Sequence, residues 1–166
     1  MPHHLEFEQW VPFPLERVFT FFSNPENLPR IMPVASATKL ITLTRAGAGG
    51  KAAGLGSTIV TSFRVFPFLP IRAQWIARIT EFETNHYFAD VQDKGPFKSW
   101  HHRHELREET MVGIAGTLVR DVIDYEAGFG FVGEIVNALF IRRQMQSTFA
   151  QRQKVLPKLL SEMPET

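Results

Sequence analysis

Cysteine is absent from the chain, which excludes disulfides and thiolate chemistry and fits a reducing compartment. Charge of one sign is missing too, since 18 Lys and Arg stand against 17 Asp and Glu for a formal net charge of +1. That balance provides no global field to recruit nucleic acid or an anionic membrane, so nucleic acid is not an expected partner. No uninterrupted apolar run approaches the roughly 20 residues that span a bilayer, and stable membrane insertion is not expected. The opening MPHHLEFEQW has neither the basic n-region nor the apolar h-region of a signal peptide. A cytoplasmic protein is the resulting expectation. Internal repeats, linkers and low-complexity tails are also lacking. With 166 residues, 44% hydrophobic and 21% charged, the chain can build one substantial core and is expected to form a single domain over 1–166.

What is present begins with a strand. Leu5, Phe7, Gln9 and Val11 alternate with Glu6, Glu8 and Trp10, the period-2 pattern of a half-buried strand that stops at Pro12. In PFPLERVFTFFSNPENLPRIMP, Leu15, Val18, Phe19 and Phe22 recur at helical spacing, and Pro14 suits the first turn. Ser23-Asn24-Pro25 ends this helix and starts a second short one over Glu26 to Leu28. Extended runs follow at Ser36 to Thr44, Ser57 to Phe66, Ile71 to Ile79, Tyr87 to Gln92, Lys98 to Leu106 and Met111 to Tyr125. About seven strands joined by short links favour an antiparallel meander, because parallel neighbours need crossovers of a dozen residues or more.

Two features invite a functional label and lose it. RAGAGGKAAGLG carries five glycines and Lys51, but Ala52 follows the lysine where a phosphate-binding loop needs Ser or Thr, and the glycine spacing is wrong. It reads as a hairpin loop. The tip FPFLP, with Phe66, Phe68 and Leu69, either flanks a pocket mouth or touches a partner or a membrane transiently; packing under the glycine-rich loop is the alternative.

After Gly128 the pattern turns helical. Val132, Ile135, Val136, Leu139, Phe149 and Leu156 form one broad stripe, with Glu134, Arg142, Arg143, Gln146, Gln151 and Lys154 mostly off it. Some 26 residues at 1.5 Å each predict a helix about 39 Å long, ending before Pro157. Its stripe must be buried, and the sheet is the only large partner. The order describes an α+β helix-grip fold: a curved antiparallel sheet of about seven strands wrapped around a long C-terminal helix, with two short helices after the first strand.

The segment DVQDKGPFKSWHHRHEL, Asp90 to Leu106, concentrates titratable and aromatic side chains. Strand alternation puts Trp100, His102, His104 and Leu106 on one face and Ser99, His101, Arg103 and Glu105 on the other. The face with Trp and Leu should point inward, leaving His101 solvated. A turn near Glu108-Glu109 would pair residue 104 with 113, 102 with 115 and 100 with 117, so that Gly113, Ala115, Thr117, Val119 and Asp121 share the inner face. Small residues opposite histidines would leave room for a cavity with a polar patch.

PLERVFTFFSNPENLPRIMP, FADVQDKGPFKSWHHRHEL and TLVRDVIDYEAGFG together resemble the START-like (SRPBCC) superfamily, which includes polyketide cyclase/dehydrase and lipid-transport proteins. The resemblance runs from about residue 3 to 156. Its most specific part, similar to a bacterial ligand-binding subgroup, is Asp90-x-Gln92, Gly95-Pro96-Phe97, Trp100-x-His102-x-His104, Asp121 and Tyr125. The family implies a hydrophobic pocket. It also favours an inward Asp90, opposite His102 if Lys94 to Lys98 form a five-residue loop, with Gln92 opposite Trp100. A loop one residue shorter reverses the face, and binary pattern alone favours that reversal, since Ala89 and Val91 are apolar.

Three readings compete for the histidines. Two His at i, i+2 with a carboxylate could hold a divalent metal, but the spacing is common and the resembled superfamily does not generally depend on one, so no metal or cofactor is expected. An Asp-oriented imidazole could act as general base or acid, as dehydration or aldol cyclisation needs. The leading expectation is a structural Asp-His pair that also offers donors to a bound small hydrophobic or aromatic molecule. The expected ligand-binding residues are Asp90, Gln92, Trp100, His102, His104, Asp121 and Tyr125. The alternative is a cyclase or dehydratase using His102, His104 and Asp90.

Overall fold

The computed structural model describes residues 1–64, 70–128 and 140–164. Strand β1 (Pro2–Val11) is followed by helix α1 (Leu15–Ser23) and the short helix α2 (Leu28–Ile31), with 3-10 turns at Pro25–Asn27 and Val34–Ser36. Then come β2 (Lys39–Thr44), β3 (Thr58–Arg64), β4 (Arg72–Glu83), β5 (Tyr87–Lys94), β6 (Ser99–Met111) and β7 (Ile114–Glu126), and finally helix α3 (Arg142–Ser161). The strands form one seven-stranded sheet in the order β1-β7-β6-β5-β4-β3-β2, every neighbouring pair antiparallel. β1 closes onto the last strand and the remaining strands follow in sequence, so the expected meander and helix-grip architecture hold. Among the described residues no helix is long and apolar enough to cross a membrane.

The inner face of the sheet carries two apolar clusters. Val11, Val18, Phe19, Phe21, Ile79, Phe88, Leu106, Val119, Leu156 and Leu160 form one. Leu5, Ile123, Tyr125 and Phe149, with Phe7, Phe97, Trp100 and Met145 against them, form the other. The first is sealed by α1, whose Val18 and Phe21 are fully buried, and Arg17 of α1 donates from Nε to the Leu160 carbonyl at 3.0 Å and from Nη2 to that of Met163. Leu160 is in the last turn of α3 and Met163 just beyond it, where carbonyls lack the i+4 N–H of a continuing helix.

Three expectations need correction. The β6–β7 turn is not at Glu108-Glu109: both strands run on, and the chain reverses at Val112 and Gly113, with φ of +51° and +77°. Glycine takes that conformation without a Cβ penalty, while the charged run before it is simply the solvated end of a strand longer than its buried part. Consequently His104 pairs with Asp121, His102 with Ile123 and Trp100 with Tyr125, and Gly113 and Ala115 sit at the exposed tip instead of opposite the histidines. The face assignment survives because the shift is even.

The second correction concerns Pro157, which lies inside α3 instead of ending it. Proline removes the N–H that would bond the carbonyl four residues back, here that of Gln153. That carbonyl is taken by Gln9 Nε2 of β1 at 2.8 Å, and Gln153 Nε2 reciprocates by donating to the Glu8 carbonyl at 3.0 Å. Burial of Leu156 and Leu160 on the sheet carries the helix through the interruption. The third correction is to strand lengths: β4 extends to Glu83, β5 to Lys94 and β6 to Met111. The FPFLP residues Phe66, Phe68 and Leu69, and the stripe residues Val132, Ile135, Val136 and Leu139, lie outside the described residues.

Candidate functional site

β5, β6 and β7 bring the polar residues of the inner face into one row. Asp90 pairs with His102, so its side chain joins the histidines. Ala89 is nonetheless fully buried on the outer face: its partners on either side, Glu81 and Arg103, form an ion pair across it. That lid explains why the apolar pattern of Ala89 and Val91 pointed the wrong way. On the same outer face His101 Nε2 meets Glu81 Oε1 at 3.3 Å.

Asp121 is the hub of the row and is 3% exposed. His102 Nε2 lies 3.0 Å from its Oδ1 in hydrogen-bond geometry. His104 Nδ1 lies 2.6 Å from the same oxygen, but without the alignment of a hydrogen bond. The other oxygen, Oδ2, accepts from Arg152 Nη2 of α3 at 2.6 Å. His102 turns its Nδ1 toward Asp90 Oδ2 at 3.8 Å, beyond hydrogen-bond range. One donor atom each from Asp90, His102 and His104 falls within 4.8 Å of the others.

Aromatic rings enclose this row. His104 stacks on Phe88 with centroids 4.4 Å apart, and His102 lies 5.9 Å from both Trp100 and Phe149. The Arg152 guanidinium sits 4.4 Å above Phe22 and 5.1 Å from Phe149. The row therefore lies at the seam between the two apolar clusters, with Leu106 and Val119 on one side and Trp100, Ile123 and Tyr125 on the other.

Burial sets the charge states differently for each member. For Asp121 burial opposes ionisation, but Arg152, His104 and His102 together outweigh it, and the carboxyl is held well below the usual range. Burial, reinforced by His102, pulls His104 down to about 3, so at neutral pH it is an uncharged imidazole. Asp90 is pushed up by burial, against the opposing pull of His102 and His101. The Trp100 indole N–H favours the Asp90 carboxylate, yet it is buried and makes no hydrogen bond of normal geometry.

Two expected site residues, Gln92 and Tyr125, also make contacts within the fold. Gln92 lies one residue past the last β5–β6 pair, Val91 with His101; its amide donates to the Phe97 carbonyl at 2.8 Å and accepts from the Phe97 N–H at 3.3 Å, tying down the Gly95-Pro96 turn. A Cβ on Gly95 would come within 2.2 Å of the Gln92 oxygen. Tyr125 is 2% exposed and packs against Phe97 and Trp100 at the end of the sheet. Arg152, in contrast, was missed by sequence reasoning. Its signal was there: it lies three residues after Phe149 and four before Leu156, on the apolar stripe, where a charged side chain needs a buried partner.

A cleft of about 660 Å³ opens on the charged outer side, lined by Glu6, Glu8, Tyr87, Arg103, Glu105 and Arg120 among others, and another of about 450 Å³ lies between Val34 and Ala150. Neither is lined by Asp90, His102, His104 or Asp121. The titratable side chains of the inner face converge in the seam, and the outer cleft is lined by charges paired with one another, such as Arg120 with Glu6 and Glu105.

A sheet gripping a C-terminal helix over such a seam defines a START-like protein. Residues 11–154 match the family described as polyketide cyclase/dehydrase and lipid transport, and the chain belongs to it. The chain has no match among curated proteins. Similar solved structures include a norcoclaurine synthase mutant from Thalictrum flavum in complex with a transition-state analogue, with 16% identity, TM-score 0.65, and 98% of this chain and 96% of that one covered. A START superfamily protein from Mycobacterium smegmatis has 11% identity and TM-score 0.63 over 98% and 99% of the two chains. Protein TTHA0849 of Thermus thermophilus has 16% identity and TM-score 0.64 over 95% and 97%. At these identities the likeness is one of fold.

Proposed function

We propose that residues 1–166 act as one domain that binds a small hydrophobic or aromatic molecule between the sheet and α3, orienting it with Asp90, His102, His104 and Asp121 while Trp100 provides a ring face. The observation that carries this reading is the buried polar row itself. Core seams are normally filled by apolar side chains, whereas here two carboxylates and two imidazoles are buried together, with His104 Nδ1 in a poorly aligned 2.6 Å contact with Asp121 and Trp100 Nε1 without a hydrogen bond of normal geometry, an arrangement that a polar group of a ligand would complete. Family membership supports a hydrophobic cargo. Because Phe22, Phe88 and Phe149 contact the polar residues, loading displaces some of these rings.

Native mass spectrometry of the full chain purified from its own host tests the proposal. A non-covalent adduct of a few hundred daltons is the expected result, and His102→Ala is expected to weaken binding of that molecule about tenfold, or about 1.4 kcal/mol, with the fold retained by circular dichroism. Unchanged affinity would remove His102 from the site, and protein without adduct would count against carriage.

A catalytic reading, cyclisation or dehydration, is favoured by one arrangement only: His102 stands between the two carboxylates Asp90 and Asp121, which can orient and polarise an imidazole. His104, held near 3, is too weakly basic to serve at neutral pH, so the base in this reading is His102. Conversion of the copurified molecule on incubation would support an enzyme; its recovery unchanged supports carriage.

A further inference from the structure

We propose that Asp90, His102 and His104 form a mononuclear site for a divalent first-row transition ion, with open coordination positions facing the rings of the seam. The binding of the ion stands apart from the organic ligand proposed above, since only this chain's own side chains are needed to hold it.

Three observations carry the inference. Each residue presents one donor atom, and the three lie within 4.8 Å of one another. This is a two-imidazole, one-carboxylate set of the kind that suits zinc, iron and their neighbours. The histidines are i, i+2 on one strand, and Asp90 is the cross-strand partner of His102, so the backbone ladder fixes the three Cα positions before any ion arrives.

The second observation is the orientation of His102. Its Nε2 lies in hydrogen-bond geometry 3.0 Å from Asp121 Oδ1, which turns Nδ1 toward Asp90 Oδ2, 3.8 Å away. In the neutral ring with Nε2 protonated, Nδ1 turns a lone pair toward a carboxylate oxygen, an arrangement that either a proton or a metal ion between them relieves. Their separation is too long for a hydrogen bond and near the about 3.4 Å expected between two ligand atoms on a tetrahedral ion at about 2.1 Å. Asp121, itself fixed by Arg152 at 2.6 Å, would thus orient a ligating imidazole from behind, as carboxylates commonly do at metal centres.

The third observation is charge. Asp121 has Arg152, whereas Asp90, with a side chain 15% exposed, has no Lys or Arg partner among the described residues; its only ion-pair contact is His102. A buried carboxylate calls for a cation, and His104 Nδ1, in a residue 9% exposed, has only a poorly aligned 2.6 Å contact with Asp121 Oδ1.

The test uses the full chain, stripped with a chelator and titrated with Co²⁺ alone. Saturation of a d–d absorption band at one equivalent per chain is expected, lost in His102→Ala and weakened at least tenfold in Asp90→Asn, which preserves shape should the histidine variant fail to fold. The double variant His3→Ala, His4→Ala removes the neighbouring amino-terminal histidines and is expected to leave the band unchanged. Absence of a saturable band, its persistence in both His102→Ala and Asp90→Asn, or its loss in the His3/His4 variant would each overturn the proposal. None of these readouts depends on an organic ligand, so failure here leaves the carriage reading standing, and the reverse.

Discussion

His104 and Asp121 face each other across β6 and β7, and burial treats them in opposite ways. His104 titrates near 3 in the folded protein against about 6.5 when unfolded. The folded state therefore prefers the neutral ring, and the associated stability is complete above pH 6.5 and drains away as pH falls toward 3. Each unit below 6.5 is worth about 1.4 kcal/mol, so thermal melts should fall steeply between pH 6.5 and 4. His104→Gln, which cannot charge, is expected to flatten that slope; an unchanged slope would place the acid sensitivity elsewhere. The stability from Asp121 is fully present throughout that window and is lost only below the unfolded carboxyl value of about 3.9, because its carboxyl stays ionised well under the usual range. Strand alternation was enough to divide His101, on the outside, from His102 and His104, since period-2 geometry is covalent. Alternation could not say what lay opposite them, because pairing depends on where the hairpin turns.

At the scale of the element, α3 and the β6–β7 hairpin show how a strong local signal can be outvoted. Pro157 reads as a stop, yet the helix passes through it because the Gln153 carbonyl it frees is satisfied from β1 by Gln9. The coupling is measurable by a double-mutant cycle. Gln9→Ala is expected to cost about 1 kcal/mol in the wild-type background and close to nothing in Pro157→Ala, where the new Ala N–H bonds the Gln153 carbonyl; urea denaturation of the four proteins checks it, and equal losses in both backgrounds would refute the coupling. In the hairpin, charged Glu108-Glu109 suggested a turn that lies further on, at Val112-Gly113. Charge marks solvent, and a long strand can enter solvent without reversing.

The molecule as a whole is held at its seam by the pair that joins helix to sheet, Arg152 to Asp121. Both side chains are under 10% exposed, at 8% and 5%, so removing one leaves the other charged and unpaired. Arg152→Met is expected to destabilise the fold by about 3–5 kcal/mol, and Arg152→Met with Asp121→Asn by clearly less than the sum of the two single changes. A loss under about 1 kcal/mol for Arg152→Met would show that the seam is wet enough to screen the pair. The order of elements, the meander and the inward face of β6 were legible in the sequence, because hydrophobic periodicity, short connections and strand alternation are local properties of the chain. The register that sets Asp121 against His104, the passage of α3 through Pro157 and the arrival of Arg152 over the Phe22 ring were decided only by tertiary structure. Each depends on two segments far apart in sequence burying their surfaces together, and a linear pattern does not encode which distant partner relieves a buried charge or a freed carbonyl.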